Sequence, residues 1–474
     1  MFNKILLLLL LGGSLFAQNI YTLERSLEIA LSESYDIKNA KYSLINSQKR
    51  LEALKLGLNS SVNMEFDLPN YYRQLSSQFN TTTGSEEFYQ VGATRLEGRL
   101  FITQPIIYTN STFSLVGSLF GRDQFSDVTG TSRDYFSNLS IRLNQPIFTF
   151  NSQMANLERA EINLAQTERN YSKAELDIIY KVTSAFYNLF QAKRNVEITR
   201  EKVKQTEISF ETASNKYKAG LIAEVEKLQL EVDLAVSKNQ LLDAERSYEE
   251  QLRNFKLTIG LPMEEEVDIE ANLDYSIVNI DEELAINSAL ENRSELLNAK
   301  EDIYLQELTI DETDSRSELK AELNANYGIN KNDELFENIF GEFQDNRSVV
   351  LTVSVPILDW GKNAREVEAA KAEYNRTELN YNNRKESITI EVKSAIGRVK
   401  ASLARVQVLS KSVEVAEKSY NISTQRFDAG KITSFDLTQV QLRLTDAKLN
   451  SLNAIVDYKI ALADLERKTY LKFQ

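Results

Sequence analysis

The side chains left to do chemistry in this sequence are carboxylates. The chain has 69 Asp and Glu residues but no histidine and no cysteine. Ser-His-Asp and Cys-His nucleophilic machinery, imidazole acid/base work, disulfides and the usual zinc sites are therefore excluded. Paired carboxylates alone can run acid/base chemistry, yet no spacing singles out such a pair, and there is no glycine-rich phosphate loop. These residue types point away from an enzyme, with no cofactor and no metal expected. The formal net charge of −14 argues against nucleic acid as a partner and suits an electronegative surface or cavity.

The elements around these acids are organised by a corner that occurs twice, Lys216-Tyr217-Lys218-Ala219-Gly220 and Arg426-Phe427-Asp428-Ala429-Gly430. The offset of 210 from Gly220 to Gly430 also carries Pro146-Ile147 onto Pro356-Ile357, Val182 onto Val392 and Tyr248 onto Tyr458. No gap intervenes. Long stretches that keep register this way behave as packed helices, because one inserted residue would rotate everything beyond it by about 100°. The pattern predicts two copies of an antiparallel helical hairpin, each turning at its glycine.

Residues 1–17 carry one Lys, an apolar run and a small-residue end, the pattern of a secretory signal peptide. No later stretch offers the ~20 apolar residues of a spanning helix, so membrane insertion would have to use strands. The first repeat is expected over 18–265, with an opening helix from Thr22 to about Leu58, strands within about 60–145 and a hairpin over 151–260. An acidic, irregular linker follows over 266–281. The second repeat spans 282–474, with its own opening helix, strands within about 319–355 and a hairpin over 359–470. Opening helices match at an offset of 259, as in Ala30 to Ala289. The first half therefore carries 49 extra residues, the difference between the offsets 259 and 210.

After each opening helix the period changes to two, as in Val62, Met64 and Phe66 or Leu351, Val353 and Val355. Half-polar strands of this kind suit an outer-membrane barrel, apolar toward lipid and polar toward a lumen. Tyr71 to Gln90 and Asn330 to Arg347, rich in polar residues, read as exposed loops. The extra residues repeat Gln104-Pro105-Ile106 as Gln145-Pro146-Ile147 and predict one more strand pair, Leu96 to Gln104 and Phe113 to Phe120. That pair either enlarges the barrel or lies outside it. In the long helices Val182, Leu189, Val196 and Val203, and again Val392, Val399, Val406 and Val413, recur every seven residues. Such a seam requires left-handed supercoiling, and its narrowness predicts a wall one helix thick.

The doubled helix-strand-helix plan, the Gln145-Pro146-Ile147-Phe148 and Val355-Pro356-Ile357-Leu358-Asp359-Trp360-Gly361 entries into long helices, and the two Ala-Gly corners resemble the TolC family of outer-membrane efflux proteins. The resemblance implies a mostly α fold, a long antiparallel coiled-coil tunnel in the periplasm joined to a trimeric transmembrane β-barrel in the outer membrane. It implies a homotrimer acting as a passive conduit in tripartite efflux or type I secretion, engaged at its tip by a periplasmic adaptor and an inner-membrane pump. Four strands per protomer are expected in that family, so the extra pair is a departure. The alternative is the coiled-coil adaptor of such a system, which needs no lipid-facing strands.

Carried over position by position, the corners Gly220 and Gly430, with Tyr217 and Phe427, fall at the tip that docks the adaptor. Glu226 and Asp436, six residues past the glycines, fall at the acid-lined periplasmic gate. Thr433 and Asp436 also have capping-box spacing, so gate and cap both stay open for Asp436; Ala223 gives Glu226 no such partner. The second acidic entrance position is Gln439 here, and the basic position after the second glycine is Ile432, with Lys431 adjacent. Pro146 and Pro356 mark the barrel-to-tunnel transition, although proline at a helix start is a sufficient reason for both.

Overall fold

The computed structural model describes residues 20–81, 83–127 and 130–473; the expected signal peptide lies outside them. In chain order the first half contains β1 (Ile20–Tyr21), α1 (Leu23–Glu33), α2 (Tyr35–Gly57), β2 (Ser61–Asn80), β3 (Ser85–Ile106), β4 (Ser111–Ser126), β5 (Gly130–Ile147), α3 (Ser152–Lys218) and α4 (Glu224–Ile259). Then follow β6 (Asp268–Ile269), α5 (Glu282–Asn292), α6 (Ser294–Asp314), β7 (Lys320–Asp333), β8 (Gln344–Ser354), α7 (Lys362–Asp428) and α8 (Ser434–Thr469). The chain divides into two compact units. One is built from residues up to Ser43, Glu168–Leu297 and the chain from Asn382; the other from Leu44–Thr167 and Asn298–Tyr381.

The first unit is helical. Its long helices α3 and α7 each have 67 residues and their return helices α4 and α8 each have 36, so the repeat holds to the residue in length. The heptad positions Val182 and Leu189 of α3 and Val392 and Val406 of α7 are fully buried. Around Phe186 and Phe255 the core gathers Tyr21, Ala30, Ile37 and, from α8, Leu452 and Val456. β1 pairs in parallel with β6, and Lys193 donates to Asp268 at 2.5 Å and to the Ile269 carbonyl at 3.0 Å. Part of the expected linker is thereby sewn into this unit.

Each opening helix, expected to be continuous, is broken once. Ser34 (ψ 144°) separates α1 from α2 and Arg293 (ψ 123°) separates α5 from α6, again 259 residues apart. The physical reason at Ser34 is the close approach of the α4 terminus: a Cβ at Gly260 would lie 2.6 Å from the Glu33 carbonyl oxygen. An unbroken helix would leave no room for that chain end. Arg293 instead turns its guanidinium to Glu295 at 3.2 Å and Glu391 at 2.7 Å.

In the second unit six strands form one antiparallel sheet in the order β2-β3-β4-β5-β7-β8. The segments expected as loops are shorter than the polar composition suggested. β2 and β3 pair out to Asn80 and Ser85, and β7 and β8 pair from Gln344 to Asn330. Backbone ladder bonds continue past the point where apolar alternation stops, since a strand with two wet faces still satisfies its N–H and C=O groups. Register places Glu65, Arg99, Ser118, Asn138, Asn330 and Asn346 on one face. Phe66, Leu100, Leu115, Leu139, Ile329 and Leu351 share the other. Phe66 lies over Gly98 and Tyr135 over Gly121 on the apolar face. That face is the open one: Phe66 is 66% exposed, whereas Glu97 on the polar face is 8% exposed. This inverts the arrangement of a water-soluble sheet.

Candidate functional site

Both glycine corners close in the same way. The Gly220 N–H donates to the Tyr217 carbonyl at 2.8 Å and the Leu221 N–H to the Lys216 carbonyl at 2.9 Å. At the second corner Gly430 donates to Phe427 at 2.9 Å and Lys431 to Arg426 at 2.8 Å. This paired pattern ends a helix with a residue in the left-handed region, and the glycines sit there at φ 73° and 68°. Three residues after each glycine comes the N-cap of the return helix, Ala223 and Thr433.

The two acids after the glycines then differ. The Asp436 carboxylate accepts from the Thr433 hydroxyl at 2.8 Å and backbone N–H at 3.1 Å, while the Thr433 Oγ1 accepts from the Asp436 N–H at 3.2 Å. The capping box anticipated from spacing is complete. The Thr433 hydroxyl first, then its N–H, with Arg426 nearby, holds the Asp436 carboxyl below the usual range. It is exposed and charged. Glu226 is half-buried in the first turn of α4, whose N-cap Ala223 makes no side-chain hydrogen bond. A carboxylate there faces the positive end of the helix without being consumed as a cap.

Tyr217 and Phe427 occupy equivalent positions but unequal surroundings, 38% and 6% exposed. Lys216 lies over the Phe427 ring at 4.2 Å and donates to the Phe427 carbonyl at 3.3 Å. One corner thus clasps the other. Sequence reasoning passed over Lys216; its only signal was that Arg426 stands at the equivalent position. Gln439 and Lys431 are exposed and Ile432 half-buried.

Pro146 lies inside β5, paired with Glu322, and Pro356 lies two residues beyond β8. Neither is the first residue of a helix: α3 begins at Ser152 and α7 at Lys362. Gln104 and Gln145 explain the duplicated motif, each donating to the carbonyl of its own proline, at 2.6 and 2.7 Å, and to a neighbouring segment's carbonyl, Leu58 or Thr109, at 2.9 Å. After the first copy a single 3-10 turn, Ile107–Thr109, reverses into β4. After the second the chain runs on into α3, where the Asn151 side chain caps the Met154 N–H at 3.0 Å. Trp360, at φ 58° and 90% exposed, precedes α7.

Among the described residues no group of three or more Asp or Glu is arranged to hold a metal, and no helix is long and apolar enough to cross a membrane. The sequence profile of outer membrane efflux proteins matches residues 114–261 and 285–469, most of the chain. The chain belongs to the outer membrane efflux protein family. This efflux protein is 21% identical over 325 residues to outer membrane protein TolC of Vibrio cholerae, covering 67% of this chain and 73% of the relative. Among solved structures, the Campylobacter jejuni CmeC outer membrane channel superposes with a TM-score of 0.71 at 16% identity, covering 94% of this chain and 85% of that one. VceC of Vibrio cholerae gives 0.69 at 15% identity, covering 95% and 97%. The efflux protein is therefore an outer-membrane channel with a helical periplasmic tunnel, not an enzyme.

Proposed function

We propose that this protein is the passive outer-membrane conduit of a tripartite efflux or type I secretion system, working as a homotrimer. In this reading an adaptor docks on the Gly220 and Gly430 corners with Tyr217 and Phe427, and an inner-membrane pump delivers the cargo. Glu226 and Asp436 line the closed aperture of the tip, which widens when the paired corners move apart. The observation that carries the reading is the clasp of one corner by the other through Lys216 and Phe427, with a charged residue standing six positions beyond each glycine. Fixed carboxylates around a narrow aperture make it cation-selective.

Conductance in a planar bilayer tests this. The native protein is expected to show a small, cation-selective conductance. Glu226→Ala with Asp436→Ala should raise conductance several-fold and weaken the selectivity. Native values in that double variant would remove both residues from the gate.

A further inference from the structure

Every strand of the sheet carries an apolar band on its outer face that ends in a polar or charged residue. The band stops at Arg73 on β2, Thr94 on β3, Asp123 on β4, Ser137 on β5, Lys331 on β7 and Arg347 on β8. On β5 it runs from Leu139 to Ile147, interrupted by Gln145, and on β7 from Ala321 to Ile329. Nine residues at ~3.3 Å each, tilted by ~40°, rise about 23 Å, close to the ~25 Å apolar band of an outer-membrane barrel. The inserted pair obeys the same rule. Leu100 and Ile102 of β3 and Phe113 and Leu115 of β4 lie on the outer face at the same level of the ladder as the β5 band, and Leu119 and Leu96 just beyond it, level with Ser137 and Tyr135.

The inner face is equally continuous across the insertion. Arg99 of β3 reaches Glu65 at 3.3 Å and Asp67 at 3.1 Å on β2, and Arg122 of β4 binds Asp134 of β5 at 3.0 Å. Phe120 and Phe136 stack at 5.0 Å between these ion pairs. A hairpin lying outside the wall would have no reason to keep charges on one face and leucines on the other.

The sheet nevertheless stops at two free edges, β2 and β8, which do not pair with each other. β8 is exposed along its whole length, and β2 along nearly all of it. Lipid does not tolerate unpaired ladder groups. Five successive antiparallel pairings lead from β2 to β8, so β8 of one copy meets β2 of the next in the antiparallel sense used throughout the sheet. Six strands are too few to enclose a lumen alone.

We infer that the occupant of both edges is a further copy of this chain, and that all six strands of each copy cross the membrane. Resting on the trimer of the proposed function, the wall then has eighteen strands. With a ~4.8 Å spacing and ~40° tilt, the backbone diameter is about 36 Å, against about 24 Å for the twelve strands of a four-strand protomer. The cross-section about doubles.

The native assembly in lipid nanodiscs, imaged by cryo-electron microscopy, should show eighteen strands in one wall. Because the chain has no cysteine, spin labels can be added singly at Leu100→Cys and Leu115→Cys, with Ser114→Cys and Ser118→Cys as inner-face partners. The first two are expected to be relaxed by oxygen and shielded from a water-soluble nickel chelate, and the second two to be reached by the chelate. Three copies with a twelve-strand wall, or chelate access at Leu100 and Leu115, overturn this inference and leave the proposed conduit standing. An assembly of any number other than three overturns both.

Discussion

Three glycines end helices here in the left-handed region, at 220, 260 and 430, and only one is also hemmed in. An added methyl meets nothing within 4 Å at Gly220 or Gly430, but at Gly260 it lies 2.6 Å from the Glu33 carbonyl oxygen. Gly220→Ala should therefore cost only the backbone term, about 1–2 kcal/mol, and Gly260→Ala that plus an overpacking term of ~1–3 kcal/mol. Melting temperatures of the two variants in detergent check the order; equal values would contradict it. Asp436 allows a similar separation of roles. Thr433→Ala removes the same capping box and about 1 kcal/mol of helix stability, but keeps the charge. If the charge gates, Asp436→Ala raises conductance and Thr433→Ala does not. The box was legible from residue spacing, whereas the Lys216 to Phe427 clasp was not, because periodicity assigns faces and not which long side chain crosses to another corner.

At the scale of elements, the break between α5 and α6 is held by charge. Burial pushes the Glu295 carboxyl up, but Arg293, its own backbone N–H and Lys173 at 3.0 Å pull it down to about 2. A folded-state value below the unfolded ~4.5 means that this stabilisation is fully present above pH ~4.5 and is lost as pH falls through about 2. The shift corresponds to about 3 kcal/mol. Glu295→Gln should flatten the acid limb of a stability-versus-pH curve while leaving the neutral value lower; an unchanged acid limb would refute the assignment. Arg293→Ala leaves Glu295 with Lys173 but without its guanidinium partner, takes that partner from Glu391 as well, and should be worse, by up to ~3–5 kcal/mol. The doubled opening helices were readable from their apolar spacing, but their breaks were not, since Ser34 and Arg293 share no residue type. Strand length was underestimated for a related reason. Alternation reports one apolar face, and β2 continues to Asn80 through a stretch rich in Ser, Gln and Asn that carries little of that signal.

For the molecule as a whole, each unit leaves a surface that the proposed trimer would cover. In the helical unit this is a stripe on α7, where Val408, Val415 and Ile422 stand seven residues apart and remain 57–69% exposed. On α4, Leu228 and Leu242, fourteen apart with Ala235 between, are open in the same way. Seven-residue spacing is the spacing of the buried seams Val182 to Val203 and Val392 to Val406, so these stripes have the pattern of seams that lack their partner helix. Burying one Val or Leu contributes about 1.5–3 kcal/mol, and three copies would bury each stripe three times. Val408→Lys with Val415→Lys places ammonium groups in that seam, where desolvation outweighs any gain from packing their stems. The variant should fall from the mass of the native assembly to that of a single chain in mild detergent, by light scattering. Its helical circular dichroism should persist, because the buried seam of α7 at Val392, Val399 and Val406 is untouched. A variant that keeps the native mass would mean that neighbouring copies meet elsewhere on the helices.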